Sequence, residues 1–335
     1  MAIWESLPTE MVTTIANFAD FRSKLALGAT TLANYMAVEK SKLDIVEVDI
    51  YIFQVRHKLS IKLADGSRFK IHACSVAYGT GVSGYTKLVE YLHRALKRGS
   101  GPISKFIFKG EPNGAYTEIF SHPRIKFCSE VRLQCNVSDT VVNKWLCHFP
   151  ANQIKKMQLL MLRGMIPLFP QFFYLRYLKL SLCDVDLKDF VNSPMLESFY
   201  ITDCRVRSLS QFFKSWANAT NGEMENLKFF VIDYFSNWHL LKEDLQEFIR
   251  EVPVLTKTCG YTERFLIRRL KDKAVADLLF TASANKLRFQ FEPNRYVPIH
   301  CWSMYERTDI VPLWGEQRPF YIPEETEEWN EKNEE

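Results

Sequence analysis

Leu175-Arg-Tyr-Leu178-Lys-Leu180-Ser-Leu-Cys183-Asp-Val185 is followed, twenty-one residues on, by Leu196-Glu-Ser-Phe199-Tyr-Ile201-Thr-Asp-Cys204-Arg-Val206. Five apolar or thiol positions repeat at one fixed offset. Stepping back by the same offset places Ile154, Met157, Leu159, Leu162 and Gly164 in those positions. Looser copies stand further out: Cys128, Val131 and Leu133; Ile103, Phe106 and Phe108; and downstream Leu227, Phe230 and Ile232. Alternate apolar residues in short runs predict strands with one buried face. Between them lie stretches with helical spacing, such as Val141, Val142, Trp145, Leu146 and Phe149, or Leu209, Phe212, Phe213 and Trp216. A strand, turn and helix form the predicted unit, and stacking such units buries one continuous core.

The shared frame L-x-x-L-x-L-x-x-C resembles a leucine-rich repeat, whose unit runs to roughly 20 to 29 residues. That resemblance implies an irregular solenoid with a parallel sheet. Cys183 and Cys204 then stand where a compact side chain turns inward. Their expected role is packing, and no metal site is expected.

Upstream of the ladder, Ile45, Val48, Ile50 and Ile52 lie in a β-rich run. Leu59 to Leu63 and Arg68 to His72 flank Ala64-Asp65-Gly66-Ser67. Asp-Gly between alternating runs predicts a β-hairpin. Gly79, Gly81 and Gly84 spell G-x-G-x-x-G before a predicted helix over Lys87 to Lys97. A dinucleotide site also needs an acidic residue about 20 residues on, where Lys105 and Phe106 stand instead. A loop is the better reading, and no cofactor is expected.

The first forty residues have a different pattern. Pro8 and Glu10 suit the opening turn of a helix, and Met11, Val12, Ile15, Phe18 and Ala19 follow at helical spacing. A second helix is predicted from Ser23 through Leu25, Leu27 and Ala29, and a third, capped by Thr30 or Thr31, holds Leu32, Tyr35, Met36 and Val38. So few residues cannot bury an independent core, so these helices need something to pack against.

Leu7, Pro8, Glu10 and Ile15, followed by Phe21-Arg-Ser-Lys-Leu25-Ala-Leu27, resemble an F-box. The resemblance implies that Leu7, Pro8, Ile15 and Leu25 contact a Skp-type adaptor and through it a cullin, with Glu10 at the acidic first-turn position. Gly28 departs from the strongest forms of the motif, as does a third helix without the basic and Trp residues common in the family. The hairpin after residue 44, and the later run from Leu209 to Ile232, are similar to the associated regions of the expanded nematode F-box families. The implied architecture is α/β: F-box helices over 1–44, a hairpin and connecting helix over 45–100, a leucine-rich-repeat-like target-binding domain over 101–320 and an acidic tail over 321–335. The implied function is a substrate-recognition adaptor of an SCF-type ubiquitin ligase, with a protein target of unknown identity. The alternative is a leucine-rich-repeat scaffold with no ligase link.

Composition is that of an ordinary globular protein. With 47% hydrophobic and 24% charged residues, the chain suits a folded domain. Its formal charge of +4 hides a split, because residues 324–335 carry seven Glu against one Lys, leaving about +10 on the remainder. Lys and Arg are scattered along the chain, so no nucleic-acid stripe is expected. The tail reads as a solvating segment, with a brake over basic surface as its functional option. No run approaches the length of a membrane span, and neither a leader nor glycosylation at Asn136 or Asn218 is expected. Eight cysteines without a CxxC pair suit reduced thiols in a cytoplasmic or nuclear protein. Seven histidines form no HxH or HExxH, and no G-x-S-x-G occurs, so no enzymatic activity and no catalytic residue is expected.

Overall fold

A computed structural model describes residues 7–53, 56–74, 84–99, 101–110, 117–135, 139–160, 164–219, 224, 226–233, 238–251, 254–259, 262–271, 275–281 and 286–291. The glycine-rich loop at Gly79 and Gly81, the asparagine at 136 and the acidic tail lie outside those residues.

Three helices come first: α1 (Thr9–Phe18), α2 (Phe21–Gly28) and α3 (Leu32–Lys40). Pro8 precedes α1 as its cap, and its carbonyl accepts from the amides of Met11 and Val12 at 3.0 and 3.1 Å. α2 starts two residues before the expected Ser23. The reason is Asp20, whose carboxylate accepts the Ser23 amide at 2.8 Å and its hydroxyl at 2.9 Å. Thr31 caps α3 through the Asn34 amide at 3.1 Å.

The remaining strands and helices follow in chain order. They are β1 (Ile45–Phe53), β2 (Arg56–Leu63), β3 (Arg68–Cys74), α4 (Gly84–Lys97), β4 (Lys105–Gly110), α5 (Thr117–Ser121), α6 (Pro123–Lys126), β5 (Glu130–Gln134), α7 (Asp139–Leu146), β6 (Lys156–Leu160) and β7 (Tyr177–Ser181). Then come β8 (Asp184–Asp186), β9 (Ser198–Thr202), β10 (Arg205–Arg207), α8 (Leu209–Asn218), β11 (Phe229–Asp233), α9 (Trp238–Glu251), β12 (Val254–Cys259), β13 (Thr262–Arg268), β14 (Val275–Thr281) and β15 (Lys286–Phe291). Thirteen strands form one sheet in the order β12-β13-β14-β15-β11-β9-β7-β6-β5-β4-β1-β2-β3, and β8 pairs with β10 in a small second sheet.

The sheet is parallel from β1 through β4, β5, β6, β7 and β9 to β11. Val48, Phe106, Val131, Met157, Leu178, Phe199 and Phe230 stand side by side, each paired with the next. The row is the ladder read from the sequence, extended by one strand. The repeat extends to the main chain at strand entry. The carbonyls of Ser104, Ser129, Lys155, Arg176 and Glu197 each accept two successive amides of the following strand. One offset slips: Met165 pairs with Asp184, so Gly164 and Ile166, rather than Leu162 and Gly164, match Cys183 and Val185. Two more residues therefore separate β6 from that bridge than the frame predicts.

Both edges of the sheet are antiparallel. On one side the predicted hairpin joins β2 to β3, with Gly66 at φ +84 where a side chain is disfavoured. On the other side β12 to β15 form an antiparallel meander attached to β11. The ladder did not announce it, and this part of the span read as repeats is not parallel.

Inward residues of the parallel strands pack against the connecting segments in one buried cluster. It includes Leu92, Phe120, Trp145, Phe172, Phe190, Phe212, Trp216 and Phe248. Aromatic rings run through it: Phe120 stacks on Trp145 at 4.8 Å, and Phe199 lies 4.9 Å from Phe190 and 5.5 Å from Phe230. Such contacts add to the area term that dominates core stability. Gly110 is fixed by a close approach: at φ +125, a Cβ would run into the Ile52 carbonyl oxygen of the neighbouring strand.

Candidate partner-binding surfaces

The amino-terminal helices stand apart from the main core. Among the described residues, their buried apolar side chains are Val12, Ala16, Ala37 and Val38, none of which belongs to the cluster that begins at Leu43. Polar bonds do much of the joining. Arg98, just after α4, donates to the carbonyls of Val38 and Ser41 at 2.6 and 3.1 Å and lies 3.5 Å from the Glu39 carboxylate. Lys24 donates to the Lys42 carbonyl at 2.6 Å, and the Lys42 amide donates to Asn17 Oδ1 at 2.7 Å. Burial lowers the pKa of both Lys24 and Arg98.

In α1 and α3, small and medium residues turn inward while large ones face out. Met11, Ile15 and Phe18 recur at helical spacing along one side of α1, and Leu32, Tyr35 and Met36 along one side of α3. Phe18 is 89% exposed and Leu32 79% exposed. Single exposed apolar residues are ordinary, but two helices each carrying a stripe of them mark a surface that a partner can cover.

Of the residues singled out by the motif, Leu7 is half-buried, while Pro8, Glu10 and Ile15 are exposed at the start and along the side of α1. Leu25 lies on α2, and its side chain is outside the described residues. Ile15 alone of the named positions lies in the exposed stripe. Met11, Phe18, Leu32, Tyr35 and Met36 were visible only as helical spacing, which does not tell a buried face from an open one.

A second surface is the outward face of the parallel strands. Lys105, Glu130 and Lys156 form one row, and Asp49, Arg132, Lys179 and Tyr200 lie in the next, all of them half-buried. Lys105 pairs with Glu130 at 3.0 Å, and the Tyr177 and Tyr200 rings lie 5.3 Å apart. Burial raises the Asp49 pKa, opposed by Lys109, and among the described residues Asp49 Oδ1 is buried without a hydrogen-bond partner. Burial lowers the Lys179 pKa, helped by Arg132. This face is polar and partly desolvated, as a protein-binding surface can be.

A cleft at the start of α8 is lined by Arg205, Arg207, Ser208, Gln211, Leu240 and Asp244. Asp244 already accepts the Ser210 amide at 3.1 Å, so the helix terminus has its own carboxylate. Among the described residues, no three His, Cys, Asp or Glu side chains gather as metal ligands, and no helix is long and apolar enough to cross a membrane. Comparison of the chain with protein-family models, with curated proteins and with solved structures returns no match.

Proposed function

We propose that the chain is a non-enzymatic adaptor of an SCF-type ubiquitin ligase. In this reading, α1 to α3 dock onto a Skp-type adaptor, itself bound to a cullin, and the strand stack holds a protein target. The observation that carries it is the pair of exposed apolar stripes on α1 and α3, in the segment whose sequence resembles an F-box. The motif residues Leu7, Pro8, Glu10, Ile15 and Leu25 would take part, with Met11, Phe18, Leu32, Tyr35 and Met36 supplying most of the apolar area. The stack would serve as an irregular leucine-rich-repeat-like solenoid, and its outward sheet face is the natural seat for the target. Ubiquitin transfer is then the work of other subunits, this chain contributing proximity.

The test is retention of a purified Skp-type adaptor by the full chain. Wild type retains it; a Met11→Asp, Phe18→Asp double variant loses at least about tenfold in affinity, as expected when charges enter an apolar contact. Failure of wild type to retain the adaptor sinks the reading and leaves a leucine-rich-repeat scaffold without a ligase.

A further inference from the structure

Cys183 and Cys204 belong to neither surface. They occupy the same position in successive units, each directly after a residue with left-handed backbone, Leu182 at φ 60 and Asp203 at φ 54. The Leu182 amide donates to the Thr202 carbonyl and the Arg205 amide to the Cys183 carbonyl, both at 3.1 Å, which holds the two turns side by side. Immediately beyond, β8 pairs with β10 through Asp184 and Arg205. The result is two free thiols whose Sγ atoms lie 3.4 Å apart, with the residues 6% and 1% exposed.

A disulfide has its sulfurs roughly 2.05 Å apart and tolerates a broad range of Cα separations. From 3.4 Å, small side-chain rotations close the gap, with the turns already aligned. Packing alone would be satisfied by one thiol and one alanine. The fold instead places two nucleophiles in contact in the adjacent turns that follow β7 and β9.

We propose that Cys183 and Cys204 are a redox-modification site, closed by a peroxide into a disulfide that staples the turns after β7 and β9. The chemistry balances within the pair and the oxidant. The Cys204 sulfur gives up its proton and attacks one peroxide oxygen; the O–O bond breaks, leaving a sulfenic acid and one water. The Cys183 sulfur then attacks the sulfenic sulfur, the S–O bond breaks, and hydroxide leaves as a second water with the Cys183 proton. Two thiols are oxidised and one peroxide is reduced.

The order follows from the hydrogen bond between them. Either sulfur can be the donor in that contact; with Cys183 donating, the Cys204 thiolate is favoured, burial opposing, and the Cys183 pKa rises. Cys128 and Cys135 show the contrast, since burial raises both thiol pKa values, that of Cys135 to about 12. This inference does not depend on the adaptor reading.

The experiment treats the full reduced chain with one equivalent of hydrogen peroxide, blocks remaining thiols, and maps peptides without reduction. The expected product is one peptide pair joined through Cys183 and Cys204 and lighter by two hydrogens. Thiols titrated in denaturant fall by two from eight, and dithiothreitol restores them. Folded protein should cross-link roughly tenfold or more faster than chain unfolded in urea, because the fold sets the effective concentration. A Cys183→Ser variant should leave Cys204 as a sulfenic acid trapped by dimedone. Absence of the Cys183–Cys204 peptide from wild type, or equal rates folded and unfolded, overturns the proposal whether or not the variant folds.

Discussion

The strand stack and the amino-terminal helices hold themselves together by different means. In the stack, each strand adds to one apolar cluster, and rings such as Phe199, Phe190, Phe212 and Phe230 touch across successive units. In the helices, the buried apolar side chains among the described residues are Val12, Ala16, Ala37 and Val38, and Arg98, Lys24 and Asn17 tie the segment to the body through hydrogen bonds. Helices α1 and α3 turn Met11, Phe18, Leu32 and Met36 outward and cannot also use them for their own stability. The contrast implies that the stack sets global stability and that the helices are the part able to loosen, or to gain order by binding.

The largest expected effect tests the stack. Phe199→Ala should cost about 3 to 5 kcal/mol, read as a lower urea midpoint, because it opens a cavity among fully buried rings. A loss under about 1 kcal/mol would mean that the cluster is not cooperative. Gly110→Ala should cost about 1 to 3 kcal/mol through its left-handed backbone and the Ile52 carbonyl, separating β4 from β1. Arg98→Ala should cost about 1 to 3 kcal/mol, but locally. Hydrogen exchange should quicken in residues 9–40 while β5 to β9 keep their protection, and uniform loss would erase the distinction drawn here.

A smaller effect, opposite in sign, is expected at the sheet face. Because burial raises the Asp49 pKa above the ordinary 3.8, the native state holds that proton more tightly than the unfolded chain does. Stability should therefore fall as pH rises through the raised value, leaving the carboxylate a net cost at neutral pH. Asp49→Asn should raise the urea midpoint at pH 7, with the gain vanishing below about pH 4; no gain at pH 7 would count against desolvation. Smallest of all, Phe18→Asp should change stability by less than about 0.5 kcal/mol, whatever it does to partner binding.

The stack was legible because its period is local and redundant. A strand that buries alternate residues must show them alternately, and three successive units share one offset, so Met157, Leu178 and Phe199 could be aligned, with Val131 as a looser copy, before any strand was seen. The slip at Gly164 escaped notice because two extra residues before it leave the apolar frame of the flanking strands unchanged. The meander of β12 to β15 was missed for another reason. An alternating run such as Thr262 to Arg268 specifies a strand but not its direction, which depends on the edge it meets.

For the amino-terminal surface, the sequence specified three helices and their spacing, but not which side would be hidden. Met11, Val12 and Ile15 are all apolar, and only packing against α3 decided that Val12 goes in while Met11 and Ile15 stay out. By itself, then, the chain specified its amino-terminal helices, the strands of its ladder and its hairpin, since these follow from short-range periodicity. The tertiary structure alone decided the open faces, the polar clasp at Arg98 and the meeting of Cys183 with Cys204. Each of these depends on groups distant in sequence arriving at one place, a condition that no local pattern encodes.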